Sequence, residues 1–187
     1  IARSAWIKFE CGVSIHNSQV IRDLVYNANM PISIRFATKN DFQLVRTFDP
    51  HSKYIDPEKI KTKINSQEVI LAFDEGKPVG IIKFSYFWAT RPYMDLIWIV
   101  ENRRGKGVGS KLLAFLEKFL VDNGYTYLYT SSEEDEDAPQ KWHQSHGFQK
   151  CGVLSALNLP HNQANEVFFY KHIASTDLKD EKLKTFS

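Results

Sequence analysis

The stretch that decides the fold reads Arg-Gly-Lys-Gly-Val-Gly-Ser at residues 104–110. It directly follows the apolar run at residues 94–100 and precedes the helix-like residues 111–116. The first amides of a helix have no intrahelical acceptor and carry the positive end of the helix dipole, so they bind anions. The three glycines remove side chains that would keep a phosphate away from these amides. The stretch therefore predicts a strand, a turn that binds a diphosphate, and a helix.

Two common phosphate-binding loops do not match this spacing. A Walker loop ends in Gly-Lys-Ser/Thr, which is missing here, and a Rossmann loop reads Gly-x-Gly-x-x-Gly. Gly109 follows Gly107 one residue too early for the Rossmann pattern. Two alternatives remain. The stretch is either a glycine-rich surface turn that binds no ligand, or a phosphate-binding loop of another class with the pattern Arg104-x-x-Gly107-x-Gly109.

That pattern, placed after a strand, resembles the acetyl-CoA loop of the GNAT superfamily of N-acetyltransferases. A predicted short helix that runs into Gly147-Phe148 is similar to the second GNAT signature, Asn-x-x-Ala-x-x-Phe-Tyr-x-x-x-Gly-Phe. The resemblance covers roughly residues 32–173. It implies an α/β (α+β) domain of the GNAT fold. Its central sheet would be mixed and mostly antiparallel, with six to seven strands, helices on both faces, and a splayed gap between strands 4 and 5.

The second signature departs from the family pattern at several positions. His143 stands where the family usually carries a tyrosine, and Trp142 takes the preceding aromatic position. Glu136 and Pro139 replace the family's asparagine and alanine. In the family the tyrosine commonly protonates the leaving CoA thiolate or hydrogen-bonds its sulfur, and a histidine can do either. The alternative is that His143 only packs beside CoA.

The resemblance also implies how acetyl-CoA binds. The pantetheine arm would pair with the backbone of strand 4, the loop amides would hold the pyrophosphate, and a backbone N–H near Ile99 would polarise the thioester carbonyl. No metal is expected. The implied cofactor-binding residues are Ile97, Trp98, Ile99, Arg104, Gly105, Lys106, Gly107, Val108, Gly109, Ser110 and Trp142.

A general base is needed because an amine attacks only when it is neutral, and a lysine-like amine is mostly protonated at pH 7. Strand alternation predicts that Tyr93, Asp95, Ile97 and Ile99 share one face. Asp95 is the first candidate for the base, with an acid that only binds a backbone amide as the alternative. Glu133 and Glu134, at the end of strand 5, are equal candidates. The family's base position near Ser131 carries no carboxylate, which leaves the assignment open.

The resemblance implies that the acceptor enters near the turn between strands 3 and 4. Trp88 and Tyr93 lie around that turn and would wall a substrate pocket or bury a homodimer contact. The acidic run at residues 133–137, with Glu134 as the substrate-binding candidate, would attract a cationic amine or form a solvated loop.

Composition narrows the function classes. A net charge of +2 with scattered basic residues argues against a nucleic-acid partner. The lack of an apolar run near 18 residues argues against a membrane protein. Two cysteines are too few for a disulfide framework, which predicts a cytoplasmic protein. The leading hypothesis is an acetyl-CoA-dependent N-acetyltransferase that acts on a primary amine by direct attack. The alternatives are an acyl-CoA-binding module without turnover, and a transferase that uses another acyl donor or an oxygen nucleophile.

Three segments are predicted along the chain. Residues 1–29 read as an N-terminal extension of uncertain origin, with Met30 as an alternative start. Residues 30–174 form the acetyltransferase domain. Residues 175–187 are polar and charged and are predicted to be a frayed helix or a loose tail.

Overall fold

The computed structural model describes residues 32–50, 52–155 and 165–174. The predicted extension at residues 1–29 and the tail at residues 175–187 lie outside the described residues. Within the described part, seven strands form one sheet in the spatial order 1-2-3-4-5-7-6. They are β1 (Ser33–Phe36), β2 (Val69–Asp74), β3 (Lys77–Phe87), β4 (Arg91–Ile99), β5 (Tyr127–Glu133), β6 (Gln149–Leu154) and β7 (Glu166–His172).

All neighbouring strands are antiparallel except β4 and β5, which are parallel. The four α-helices of the described residues are α1 (Phe42–Phe48), α2 (Pro57–Asn65), α3 (Val108–Asp122) and α4 (Asp137–Ser145). One core cluster joins α3 to the sheet, and a second joins α1 and α2 to it. The mixed, mostly antiparallel sheet with helices on both faces is thus confirmed. We call the two sides of the sheet the α3 face and the α2 face.

None of the helices in the described ranges is both long and apolar enough to cross a lipid bilayer.

The helix that follows the glycine-rich stretch forms as its periodicity predicts. Residues at steps of three and four, including Val108, Leu112, Leu116 and Leu120, are at most 2% exposed because they lie on one side of the helix. The helix ends at Asn123-Gly124, where Gly124 has a φ of +83°. Burial of this stripe against β2, β3 and β4 holds the N-terminus of α3 beside the carboxyl end of β4.

The sheet opens between β4 and β5. Their only paired residues among those described are Tyr93 with Tyr129 and Met94 with Thr130. The Thr130 hydroxyl donates to the Met94 carbonyl at 3.1 Å and closes the narrow end of the gap. Beyond Met94, β4 stays paired with β3 alone. The predicted separation of strands 4 and 5 is confirmed, and it begins directly after these pairs.

A bulge at Asp95 corrects the predicted side-chain alternation in β4. The pairing of β3 with β4 skips Asp95, so this extra residue shifts the alternation by one position. As a result Ile97 and Ile99 pack with Met94 on the α3 face, whereas Asp95 contacts Lys63 of α2. The prediction that Tyr93, Asp95, Ile97 and Ile99 share one face is therefore wrong.

Candidate active site

The turn before α3 has the backbone geometry of an anion site. Gly105 and Gly107 have φ values of +69° and +77°, which residues with a side chain adopt only at a cost in free energy. A Cβ atom at either position would meet nothing within 4 Å. No side chain of the described residues caps the N-terminus of α3, so the first amides of this helix have no capping oxygen from that part of the chain. These features fit the diphosphate of acetyl-CoA.

Two side chains hold this turn from either side. The Arg104 Nε donates to the Ile99 carbonyl at 3.0 Å, so this side chain links the turn to the end of β4. Ser110 is hydrogen-bonded to the His146 Nε2 at 2.8 Å. Because His146 Nδ1 lies 2.8 Å from the Trp142 carbonyl, we assign the proton to Nδ1 and the donor role to the Ser110 hydroxyl. The sequence did not indicate His146 as a site residue, because its contact with Ser110 depends on the fold, which brings α4 beside α3.

Trp142 packs on the same turn. A Cβ atom at Gly109 would lie 3.3 Å from the indole ring, and the ring stacks on His146 with centroids 4.0 Å apart. The structure therefore brings Trp142 together with the predicted cofactor loop. Val108 is buried in the core below it, and Lys106 is exposed beside it.

The backbone of β4 faces the gap at alternate residues. Val100 N donates to the Val79 carbonyl of β3 at 3.1 Å. In an antiparallel pair, successive residues of a strand direct their backbone groups alternately toward and away from the neighbouring strand. The N–H and C=O groups of Ile97 and Ile99 therefore point away from β3. Trp98 has the opposite orientation, and its ring packs edge-on against Phe48 on the α2 face. The backbone of Ile97 and Ile99 is thus presented to the gap, whereas the Trp98 side chain is directed elsewhere.

His143 lies inside the protein. It is 4% exposed and packs against Phe148 and Phe169. Burial lowers the pKa of His143 to about 4, although a hydrogen bond with the Ser131 backbone opposes this shift. Its Nδ1 has no hydrogen-bond partner in the described part of the chain. A neutral imidazole is a poor proton donor at pH 7, so these surroundings favour packing or hydrogen bonding over a charged acid, and the catalytic role stays a prediction.

Asp95 is engaged by two neighbours. Its carboxylate accepts from Lys63 Nζ at 2.9 Å and from the Ser85 hydroxyl at 2.5 Å. The side chain is 25% exposed and lies on the α2 face, between Lys63 of α2 and Ser85 of β3. Both carboxylate contacts are made within the protein, and the role of Asp95 as the base stays a prediction.

An aromatic cluster on the α2 face surrounds Tyr93. Its ring stacks on Phe87 with centroids 4.3 Å apart and lies 6.1 Å from the ring of Phe168. The Tyr93 hydroxyl is 2.5 Å from Ser131 Oγ, and Ser131 Oγ donates to Glu166 of β7. Sequence reasoning missed Glu166, because the pairing of β7 with β5 is set by the fold and no local signal marks that residue.

The remaining predicted residues lie around this cluster. Glu133 ends β5 and pairs with Glu166 in the register of β5 and β7. The Glu134 carboxylate accepts from the Asn165 amide at 2.6 Å. Trp88 is 88% exposed in the turn that follows β3, with a positive φ of +48°. Glu133 thus lies beside the aromatic cluster, and the Glu134 carboxylate is hydrogen-bonded to Asn165.

Among residues 32–50, 52–155 and 165–174 there is no group of three or more His, Cys, Asp or Glu side chains placed to hold a metal ion. The sheet opens between two parallel strands, and a glycine-rich helix N-terminus lies at the end where the strands are apart. This is the arrangement that the GNAT resemblance implies. The chain belongs to the acetyltransferase (GNAT) family, whose model matches residues 36–148.

Solved structures support the same fold. Ard1 from Thermoplasma volcanium has a TM-score of 0.68 at 17% identity, covering 78% of this chain and 100% of its own. The yncA protein from Salmonella typhimurium, solved with its cofactor acetyl-CoA, has a TM-score of 0.65 at 18% identity, covering 78% and 96%. The ribosomal-protein-alanine N-acetyltransferase from Brucella melitensis has a TM-score of 0.62 at 23% identity, covering 75% and 99%. No curated protein matches the chain.

Proposed function

We propose that this protein is an acetyl-CoA-dependent N-acetyltransferase that moves an acetyl group to a primary amine by direct attack in a ternary complex. The observation that carries the proposal is the gap between β4 and β5, which runs from the uncapped N-terminus of α3 to the side chains around Tyr93. Bound acetyl-CoA would supply the activated acyl carbon. The turn at residues 104–110 would bind its diphosphate, and the backbone of Ile97 and Ile99 would orient its pantetheine arm.

Relatives in the same fold are consistent with this assignment. One of the similar structures was solved with acetyl-CoA, and another is named for N-acetylation of an alanine in a ribosomal protein. At 18% and 23% identity these likenesses do not identify the acceptor. Polyamines, aminoglycosides, amino acids and protein amines stay open as acceptors. A homodimer, a cytoplasmic location, and the lack of nucleic-acid and membrane partners stay predictions from the sequence.

The test has two stages. Calorimetry on the purified protein should give micromolar binding of acetyl-CoA, and a screen of primary amines with a thiol-release assay should then give turnover. Propionyl-CoA and succinyl-CoA as competitors test whether another acyl donor is preferred, and an alcohol panel tests for an oxygen nucleophile. Absence of acetyl-CoA binding would refute the proposal.

A binding module without turnover is the second candidate. It is favoured by the buried, neutral His143 at the family's tyrosine position. This candidate predicts acetyl-CoA binding with the same affinity but no thiol release with any amine, and therefore differs from the first in a single assay.

A further inference from the structure

We propose that Glu166, acting through Ser131 and Tyr93, is the proton acceptor for the amine substrate. This inference rests on the proposed N-acetyltransferase function and identifies a base that the sequence did not indicate. The three residues come from three different strands, β7, β5 and β4, which meet at the narrow end of the gap.

The first argument is the position of the Tyr93 and Ser131 hydroxyl groups. Met94 and Thr130 form the last pair between β4 and β5, and Ser131 is the next residue of β5. Tyr93 and Ser131 therefore flank the point where the strands part. An acyl group carried on an arm that runs along β4 from the N-terminus of α3 would end at this point.

The direction of the hydrogen bonds is the second argument. An ionised carboxylate only accepts, so the single proton of Ser131 is donated to Glu166. Ser131 Oγ then accepts the proton of Tyr93 across 2.5 Å. This leaves lone pairs on the Tyr93 oxygen for an N–H group of an incoming amine. Burial, with smaller contributions from Glu166 and Asp95, raises the pKa of Tyr93, so the phenol stays protonated at neutral pH and relays a proton rather than holding a charge.

The surroundings favour a cationic substrate. Glu133 and Glu166 are direct cross-strand partners, and like charges in that arrangement repel each other unless a cation lies nearby. The rings of Phe87, Tyr93 and Phe168 line the same face, and aromatic faces attract an ammonium group. A protonated amine would satisfy both features before it gives up its proton.

The proton balance follows from this series of hydrogen bonds, from Tyr93 through Ser131 to Glu166. One N–H proton of the ammonium moves to the Tyr93 oxygen as the Tyr93 proton moves to Ser131 and the Ser131 proton moves to Glu166. The neutral nitrogen then forms a bond to the acyl carbon, and the C–S bond breaks with its electron pair on sulfur. The second proton lost by nitrogen ends on the CoA thiol. Glu166, which is partly exposed, returns the first proton to water.

The test compares variants with benzylamine, an amine that is mostly protonated at pH 7, as the acceptor and acetyl-CoA as the donor. Glu166→Gln and Tyr93→Phe should each lower kcat/KM by about 100-fold at pH 7, the size of a lost general base. The double variant should lose no more than either single one, because the two act as a unit. The Kd for acetyl-CoA should not change.

The pH profile distinguishes a base from a structural role. The wild type should have a nearly flat kcat/KM from about pH 6 to pH 8, because the relay takes a proton from the bound ammonium and the rate does not depend on the fraction of free amine. Glu166→Gln should instead gain about tenfold per pH unit, because it depends on the free amine. The other groups that face this site are Asp95 with its partner Lys63, Glu133, and the neutral ring of His143 near the Ser131 backbone.

Matched controls come from the same fold. Tyr170→Phe removes an exposed hydroxyl on β7 that donates to Gln149, and Glu117→Gln removes a carboxylate paired with Lys171. Both should keep wild-type kcat/KM.

Four outcomes would overturn the inference. The first is an unchanged rate in Glu166→Gln. The second is a loss of the same size at every pH. The third is a steepened profile in Asp95→Asn instead of Glu166→Gln. The fourth is wild-type protein that binds acetyl-CoA but acetylates no amine, which would refute the proposed function as well.

Discussion

Gly107 and Gly124 bracket α3 and offer a matched pair of substitutions. Both have positive φ angles, +77° and +83°, and at both a Cβ atom would meet nothing within 4 Å. A side chain forced into the left-handed region costs roughly 1–2 kcal/mol. We therefore expect Gly107→Ala and Gly124→Ala to lower the free energy of unfolding equally, by about 1 kcal/mol, or about 3 °C in Tm for a chain of this size.

Binding of acetyl-CoA should separate the two variants. Only at Gly107 would the new methyl group stand between a diphosphate and the amides of the helix N-terminus. Loss of one hydrogen bond to a charged group costs about 2 kcal/mol, which raises Kd by about 30-fold. Gly124→Ala, at the other end of the helix, should bind with wild-type affinity. Calorimetry measures Kd, and thermal unfolding of the same samples measures stability.

The two readouts check each other. Equal affinities in both variants would show that Gly107 serves only the turn, and the phosphate site would be refuted. A Tm loss in Gly107→Ala far larger than in Gly124→Ala would show that the methyl group disturbs the helix start, so that weaker binding would not report on a diphosphate contact.

Three further predictions concern ionisable groups. Lys83 and Asp49 form a buried ion pair at 2.5 Å, so Lys83→Met should lower the free energy of unfolding by about 3–5 kcal/mol, measured by urea unfolding. Asp41 accepts two hydrogen bonds from Arg35, which holds the pKa of Asp41 well below its ordinary value. The stabilisation is therefore complete above the unfolded pKa near 4 and is lost as pH falls below it; Asp41→Asn should remove this part of the acid dependence. His143, with a pKa lowered to about 4, should show no imidazole titration by ¹⁵N NMR between about pH 5 and pH 8.

Exposed groups on α3 are the controls for these experiments. Lys118 pairs with Asp122 at the surface, so Lys118→Met should cost at most about 1 kcal/mol. A Lys83→Met protein as stable as Lys118→Met would contradict the assigned cost of burial, and a titration of His143 near pH 6.5 would contradict its buried position.

The local parts of the site could be predicted because they depend on near neighbours in the chain. The turn at residues 104–110 and the apolar stripe of α3 follow from glycine positions and a period of 3.6 residues. The turn between β2 and β3 forms at Glu75-Gly76, both with positive φ, as the sequence Asp-Glu-Gly-Lys indicates. The turn at residues 104–110 also supplied the first of the two motifs on which the family resemblance rests.

The face of Asp95 could not be predicted, because a bulge leaves no mark in the alternation of a strand this apolar. One extra residue moved Asp95 away from Ile97 and Ile99 and toward Lys63. The contact between Ser131 and Glu166 could not be predicted either, because it depends on strand pairing. The Ser131 hydroxyl became informative only when the pairing of β5 with β7 brought Glu166 within hydrogen-bonding reach.

The sequence by itself determined the class of fold, the diphosphate turn and the helix behind it, since each depends on residues close together along the chain. Only the tertiary structure decided that Glu166 contacts Ser131 and that His143 is buried. Strand order, register and burial set those two features, and each depends on contacts between residues that are far apart in sequence.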